Sequence, residues 1–439
     1  MVFAGRRGRF LAALLLAEFG GAMQGIAYST VLPVVAGDLG GFSLFGATLA
    51  AGPIAAVLML SVAGAVLGRL RPGVVLFIAT AGYVVGASMA VFAPSMEWVL
   101  AGTIVRGVAA GLLAGFGMGA IGALYDEVER PRVFGVFALI WLLPSLVGPL
   151  LNAALTTWIG WRWALAWPAV VVIVARMLMG RYVSEVPWQR ADHPARAGLG
   201  LLVAGGLVLG AVGSAMSGPA ALVLLATGVV VAGVGIVLFL TRGAGPGRPS
   251  RTLLAFAGVC AAFFGLYELL SLAVVEGLGE RLVWASVAVM AGLTSWSLAG
   301  LKPRPGARPD AVVVGATLIF VGALGLLVAL GVAGWSSGGA PALVVVVVSA
   351  AVAGLGMGLA YPLLGSEPFD LPGAPPASMV GTLVAFAETA GTAWVVLLGG
   401  GLYSAVHNSG LAPLPALLIV FGVLGLVCLA APIAAVLRR

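Results

Sequence analysis

The chain alternates between long apolar segments and short polar ones. A membrane-spanning helix needs about 20 consecutive, mostly apolar residues. Fourteen segments meet this requirement, and we predict spans at about 10–35, 44–68, 74–93, 97–123, 133–156, 162–181, 198–217, 219–240, 252–276, 281–301, 311–332, 340–364, 376–403 and 411–437. Two longer polar stretches, 182–197 and 241–251, divide these spans into groups of six, two and six.

This grouping predicts an all-α membrane protein with two six-helix bundles and an inserted two-helix hairpin. The expected domains are an N-terminal bundle at 1–181, a cytoplasmic linker at 182–197, the hairpin at 198–240, a second linker at 241–251 and a C-terminal bundle at 252–439. No charged residue lies between Gly198 and Thr241. We therefore expect the hairpin to be peripheral and to face lipid.

The composition agrees with this membrane assignment. Hydrophobic residues make up 62% of the 439 residues and charged residues only 8%, whereas a soluble domain carries about 25% charged residues. The net charge of +7 is spread over short loops and forms no basic face, so nucleic acid is not an expected partner. An anionic lipid surface is the better explanation for the positive charge.

The distribution of basic residues predicts the orientation. With fourteen spans and the N-terminus inside, all 22 basic residues except Arg106, Arg162, Arg176 and Arg281 fall on the cytoplasmic side, as the positive-inside rule requires. Both termini are then cytoplasmic. Only one of the basic residues, Lys302, is lysine, a usage typical of GC-rich bacterial genomes, so we expect a bacterial plasma membrane protein.

The fifth span contains three residues that are unusual in the interior of a helix: Pro144, Gly148 and Pro149. Proline removes a backbone donor and clashes with the preceding turn, and in lipid the freed carbonyl group must find another partner. We expect this helix to bend, to pack closely on its neighbours and to line a cavity. A packing kink without function is the alternative.

The same segment carries a family resemblance. Pro144-x-x-x-Gly148-Pro149-x-x-Asn152, followed by a tryptophan-rich end at 161–163, resembles the fifth-helix antiporter motif of the major facilitator superfamily, G-x-x-x-G-P-x-x-G-G. Proline stands at its first glycine, and Asn152 and Ala153 stand at its last two.

Two further motifs extend the resemblance over essentially the whole chain. Gly64-x-x-x-Gly68-Arg69 lies where the family has its loop motif after the second helix, with Gly68 at the aspartate position, and Arg304 belongs to a second copy. Arg106 matches the arginine of the fourth-helix motif. The order of the motifs along the chain is similar to that in the fourteen-helix branch of the superfamily, the drug:proton antiporters.

Four ionisable residues lie deep within predicted spans: Glu18, Arg106, Glu268 and Glu388. A charge at the bilayer centre costs about 2.5–3.5 kcal/mol on insertion scales, and such residues commonly mark proton or substrate pathways. We therefore predict that these four couple transport to protons, although a structural role is the alternative for Arg106 and Glu18. Arg176 lies near the end of its span, so we expect it to reach the membrane surface.

Polar and aromatic residues inside the spans are candidates for a substrate cavity. Tyr28 lies within about 80° of Glu18 around the first helix, and deep aromatic rings can stack on an apolar or cationic compound. The candidates are Tyr28, Gln24, Trp141, Asn152, Tyr361 and Trp394. Core packing is the alternative role for the aromatic members of this set.

The resemblance implies an exporter of small apolar or amphipathic compounds that exchanges them for protons, with the glycine and proline motifs serving its conformational change. We expect a monomer that uses the proton gradient and no cofactor. The sequence has no phosphate-binding loop, catalytic triad or metal-ligand spacing, so we predict neither an enzyme nor a metal site. The alternatives are a symporter or exporter of a lipid or metabolite, and a non-transporting receptor or partner subunit, with which the missing loop aspartates are compatible.

Overall fold

A computed structural model of the protein describes residues 3–40, 44–187, 196–216, 218–301, 310–333 and 340–438. This part of the chain contains fourteen α-helices. They are α1 (Gly5–Asp38), α2 (Phe45–Arg69), α3 (Pro72–Val91), α4 (Met96–Leu124), α5 (Arg130–Ile159), α6 (Trp161–Tyr182), α7 (Ala197–Ser214), α8 (Pro219–Ala244), α9 (Arg248–Leu272), α10 (Leu282–Gly300), α11 (Asp310–Ala333), α12 (Ala340–Ser366), α13 (Ala377–Asn408) and α14 (Pro413–Leu437).

Each predicted span corresponds to one of these helices, and the prediction of an all-α membrane protein is confirmed. Among the described residues, thirteen helices are long and apolar enough to cross a membrane. The remaining helix, α5, has 30 residues and runs without interruption past Pro144 and Pro149. The protein is therefore a multi-pass membrane protein.

Proline and glycine mark the ends of the helices. Proline has no backbone N–H, so it fits the first helical turn, where that group has no partner in the helix. Five helices carry it there, at Pro72, Pro131, Pro219, Pro249 and Pro413. The single residue between α5 and α6, Gly160, has a φ of 99°, a backbone conformation that favours glycine.

The chain divides into two compact units. Unit 1 comprises residues 1–129, 140–200 and 375–386, and unit 2 comprises 130–139, 201–374 and 387–439. The first ten residues of α5 thus belong to unit 2, and the start of α13 belongs to unit 1. The domain boundaries expected from the sequence separate groups of spans, whereas these units are defined by contacts between residues. The expected boundaries therefore stay a prediction.

Small residues bring the helices of unit 1 into close contact. Gly107, Gly111 and Gly115 recur every fourth residue on α4 and face α2. A Cβ atom on Gly111 would lie 2.5 Å from the carbonyl oxygen of Ala56. Further along α4, a Cβ atom on Gly119 would lie 3.1 Å from the Cα atom of Ser378 at the start of α13. Close helix contact through small residues is the usual packing mode in membranes.

Unit 2 is built around α9, which contacts α8, α10, α11, α12 and α14. Glycines again set the spacing of the outer helices: a Cβ atom on Gly322 of α11 would lie 2.8 Å from the Cβ atom of Ala353 on α12. Glu367, just after α12, forms ion pairs with Arg248 at 3.2 Å and Arg438 at 3.4 Å. These pairs join the ends of α9, α12 and α14.

The hairpin formed by α7 and α8 packs on α13 within unit 2. The indole N–H of Trp394 on α13 donates to the carbonyl oxygen of Val229 on α8 at 2.8 Å. In the same interface, Leu397 of α13 lies close to Gly210 of α7, and Leu225 of α8 lies close to Gly401 of α13. Many large apolar residues of the hairpin are exposed, among them Leu201 and Val223 at 63% each, which agrees with the expected lipid-facing position.

Candidate functional site

Glu388 and Tyr361 form the most distinct polar pair within the spans of unit 2. Glu388 is the twelfth residue of the 32-residue helix α13 and is partly buried. The Tyr361 hydroxyl group donates to its carboxylate, lying 3.2 Å from Oε1 and 3.1 Å from Oε2. The two residues were predicted separately, as a proton carrier and as a cavity residue, and the fold brings them together.

Aromatic rings hold Tyr361 in place. The ring centres of Phe256, Trp296 and Phe134 lie 5.4, 5.7 and 6.0 Å from that of Tyr361. Tyr361 itself is only 3% exposed. Because the surrounding rings restrict its side chain, its hydroxyl group has a defined direction toward Glu388.

Glu268 occupies a different environment on α9. Fifteen of the 25 residues of this helix are buried, yet Glu268 is exposed, and no other residue of α9 after Arg251 is exposed. Among the described residues it forms no ion pair. The helices that pack on α9 therefore leave part of the Glu268 side chain accessible.

Glu18 and Trp141 pair within unit 1. Glu18 is partly buried on α1, and the Trp141 side chain of α5 lies close to its carboxylate. Trp141 is 39% exposed. Glu18, a predicted proton carrier, thus lies beside Trp141, a predicted cavity residue. Trp141 is accessible from outside the helix packing.

Arg106 stacks on Tyr28 instead of meeting a carboxylate. The guanidinium carbon lies 3.7 Å from the centre of the Tyr28 ring, within the range of a cation–π interaction. Tyr28 is 5% exposed and belongs to a core cluster with residues of α3, α4 and α6. Nη1 of Arg106 is buried and has no hydrogen-bond partner in the described part of the chain.

Gln24 lies in a buried polar network. Its Nε2 donates to the carbonyl oxygen of Leu165 at 3.1 Å, and its Oε1 accepts from the Tyr83 hydroxyl group at 3.1 Å. Gln24 is 3% exposed. Both ends of the amide therefore connect α1 to α6 and α3, and the predicted contact of Gln24 with substrate stays a prediction.

The expectation that Arg176 reaches the membrane surface is wrong. Arg176 is 5% exposed, its Nη1 donates to the carbonyl oxygen of Ala79 at 3.1 Å, and its guanidinium carbon lies 4.3 Å above the Tyr83 ring. Since α3 offers both a carbonyl group and a ring face at this depth, the side chain satisfies part of its polarity inside the helix packing.

The motif of the fifth helix makes the close contact predicted for it. Pro144 and Gly148 are buried, and a Cβ atom on Gly148 would lie 3.0 Å from Ile26 Cγ2 on α1. Asn152 is completely buried and accepts a hydrogen bond from Trp167 Nε1 of α6 at 3.2 Å. The Pro149 side chain lies outside what the structure describes, and the roles of these residues in motion or binding stay predictions.

The remaining predicted residues fall at three places. Gly64 and Gly68 are buried near the end of α2, where a Cβ atom on Gly64 would lie 2.6 Å from Met379 Sδ of α13. Arg69 is exposed. Trp394 is engaged with the hairpin through Val229, a packing contact, so its cavity role stays a prediction. Arg304 lies outside the described residues.

Sequence reasoning did not single out three side chains of these networks: Tyr83, Trp167 and Trp296. Tyr83 lies in the middle of α3, and this depth was the available signal for it, whereas Trp167 and Trp296 lie six and four residues from the nearest end of their helices. Trp296 is 3% exposed, and its Nε1 has no hydrogen-bond partner among the described residues. Their partners lie on other helices, so the sequence offered no way to pair them.

The sequence matches the Major Facilitator Superfamily over residues 14–398, and the chain belongs to this family. Its members are transporters and not enzymes. The predicted major facilitator fold, with its fourteen helices, is thereby confirmed.

Known relatives carry efflux and resistance names at low identity. The chain is 25% identical to the multidrug transporter protein MdtP of Bacillus subtilis over 181 residues, which are 40% of this chain and 34% of that protein. It is 26% identical to the lincomycin resistance protein LmrB of the same organism over 202 residues, 43% of this chain and 41% of that protein. The alignments thus span well under half of either relative.

Two solved structures show the fold over nearly the full chain. The human organic anion transporter MFSD10 superimposes with a TM-score of 0.66 at 15% identity, covering 97% of this chain and all of that one. An auto-inhibited peptide transporter of the POT family superimposes with a TM-score of 0.59 at 18% identity, covering 98% and 97%. At these identities the likeness concerns the fold alone.

Proposed function

We propose that the protein is a proton-coupled secondary active exporter of small apolar or amphipathic compounds. It works by alternating access as a monomer in a bacterial plasma membrane, with both termini cytoplasmic, and it uses the proton gradient without a bound cofactor. The family membership supports transport, and the multidrug and lincomycin-resistance names of the relatives support export.

The observation that carries the proposal is the pair formed by Glu388 and Tyr361. A carboxyl group deep in an apolar span is costly when charged, so it exchanges protons according to the polarity of its surroundings. The Tyr361 hydroxyl group stabilises the charged form through a hydrogen bond and is itself held by three aromatic rings. This arrangement suits a group that must hold a proton in one state and release it in another.

The other residues have supporting roles in this mechanism. Glu268, accessible on α9, is the second carboxylate that titrates during transport, and Glu18 assists through its contact with Trp141. Arg106 senses the charge of a carboxylate and biases which side of the membrane is open. Gly148 supports the proposal of a tight, leak-limiting hinge, because its lack of a side chain lets α5 approach Ile26 and Met23 of α1.

Proton release on substrate addition tests the proposal. Purified protein in weakly buffered detergent solution is mixed with ethidium or with lincomycin, and the pH change is followed together with export from proteoliposomes that carry a pH gradient. We expect both probes to be exported and to release protons. Glu388→Gln should abolish both signals while the protein remains folded, and Glu276→Gln, at an exposed position after α9, should retain them.

A symporter and a non-transporting receptor would give different results in this experiment. Export without proton release, or unchanged pH dependence in Glu388→Gln, contradicts the assigned carrier. Uptake driven by an inward proton gradient identifies a symporter. Absence of transport for both probes and for a panel of lipids and metabolites, by a folded protein that still binds one of them, identifies a receptor.

A further inference from the structure

Two arginines within the spans of unit 1 have an aromatic ring where a carboxylate would be expected. Arg106 of α4 lies over Tyr28, and Arg176 of α6 lies over Tyr83. The Tyr83 hydroxyl group donates to Gln24, which lies one turn before Tyr28 on α1, so the four side chains lie in one region of the packing of α1, α3, α4 and α6. Among the described residues neither guanidinium group takes part in an ion pair.

The cluster has more hydrogen-bond donors than acceptors. Nη1 of Arg106 and Nε of Arg176 are buried, and neither has a partner in the described part of the chain. The one side-chain acceptor that bridges the helices, Oε1 of Gln24, is already used by the Tyr83 hydroxyl group. A buried donor without a partner is costly, so a further acceptor would stabilise this arrangement.

The carboxylates of unit 1 do not supply that acceptor. Glu18 is engaged with Trp141, Asp38 with Trp161 and Arg162, Glu129 with Arg7, and Glu185 with Arg6. Glu97, Asp126 and Glu127 are exposed at the ends of α4 and in the loop that follows it. Within the described residues of unit 1, the two buried positive charges therefore have no negative counterpart.

We propose that this cluster is a binding site for a singly charged anion, either an organic carboxylate or a halide. Guanidinium groups in apolar surroundings lack solvation, and a bound anion supplies the acceptor and the negative charge that the described residues of unit 1 do not. The planar guanidinium group offers paired N–H donors that match an anionic oxygen pair. Gln24 and the rings of Tyr28 and Tyr83 hold the two arginines in position.

Anion binding to the purified full-length protein tests this site without any transport measurement, so its outcome is independent of the proposed function. Unfolding temperatures and titration calorimetry are recorded over concentration series of sodium benzoate and of sodium chloride. We expect a saturable rise in the unfolding temperature of the wild type, since a ligand that binds only the folded state stabilises it. A response to both salts indicates a site open to halides, and a response to benzoate alone indicates a carboxylate site.

Variants assign the effect to the two arginines. Arg106→Gln and Arg176→Gln should each weaken the anion affinity at least about tenfold, because each removes a charged hydrogen-bond donor. Arg162→Gln is the matched control on α6, since Arg162 is exposed and near Asp38, and it should bind as the wild type does. Arg176→Lys keeps the buried charge and loses the planar donor arrangement, so it should bind benzoate more weakly than the wild type.

Three results would overturn the proposal. The first is a wild type with no saturable response to either salt. The second is equal loss of binding in Arg162→Gln. The third is an unfolding temperature of Arg176→Gln that differs from that of the wild type by the same amount at every anion concentration, as a purely structural role requires. If Arg176→Gln does not fold, Arg176→Lys takes its place in this comparison.

Discussion

The two units of the molecule surround their buried charges with different parts of tyrosine side chains. Within the spans of unit 1 the partly or fully buried cations, Arg106 and Arg176, lie against the faces of tyrosine rings. In unit 2 the corresponding buried charge is the Glu388 carboxylate, which meets the hydroxyl edge of Tyr361. A tyrosine ring has a negative face and its hydroxyl group donates a hydrogen bond, so one residue type serves either sign of charge according to its orientation.

Packing, in contrast, follows one rule in both units. Glycines place the backbones of α2 and α4 in contact in unit 1, and those of α11 and α12 in unit 2. The units therefore differ in the groups that surround their buried charges, whereas both pack their helices through glycines. Unit 2 holds Glu388 and Glu268, the two main proposed proton carriers, and unit 1 holds Glu18 and the proposed anion site.

The largest expected effect is on proton release, and it distinguishes Glu268, within a span of unit 2, from Glu276, near the end of a helix. Glu268→Gln should reduce substrate-dependent proton release by at least about tenfold, because it removes a group that gains and loses a proton. Ethidium-dependent pH change in detergent solution measures it, with Glu276→Gln as the control. Full proton release in Glu268→Gln would leave Glu388 as the sole carrier in this unit and contradict the supporting role proposed for Glu268.

The next prediction tests whether packing is alike in the two units. Gly111→Ala in unit 1 and Gly322→Ala in unit 2 should each lower the free energy of unfolding by about 1–3 kcal/mol, because the added methyl group meets a neighbouring helix. Gly21→Ala and Gly258→Ala are matched controls, since an added Cβ atom there has no atom within 4 Å. Unfolding in a denaturing detergent gradient measures all four, and a loss confined to one unit would contradict a shared packing rule.

The smallest effect concerns the hairpin at the margin of unit 2. Trp394→Phe should cost about 1 kcal/mol of stability, the usual net value of one hydrogen bond, because it removes the donor to Val229. Ethidium affinity should remain unchanged if Trp394 has a packing role alone. Reduced affinity at unchanged stability would instead support the cavity role predicted from the sequence. Deleting residues 198–240 should likewise reduce stability more than substrate affinity.

Much of the fold follows from the sequence because the bilayer imposes simple requirements on it. Length and apolar character define a span independently of its neighbours, so the fourteen segments, the polar linkers and the uncharged hairpin could be predicted from local composition. The Gly148-Pro149 motif and Arg106 indicated the family for the same reason. Each is a short pattern that can be recognised without knowing which helices surround it.

The partners of the site residues could not be predicted in this way. Glu388 and Tyr361 were both identified as deep polar residues, yet their pairing depends on α12 lying beside α13. Arg176 was expected at the surface, and α3 instead supplies the Ala79 carbonyl group and the Tyr83 ring that keep it buried. Helical periodicity gives the direction of a side chain around its own axis and contains no information on the neighbouring helix in that direction.

The sequence by itself thus determined which ionisable groups enter the membrane, since any charge within an apolar segment is visible in one dimension. The tertiary structure alone decided the environment of each: a hydroxyl group for Glu388, an exposed position for Glu268 and a ring face for Arg106. The physical reason is that the energy of a charge depends on atoms within a few ångströms, and these atoms come from residues distant in the chain.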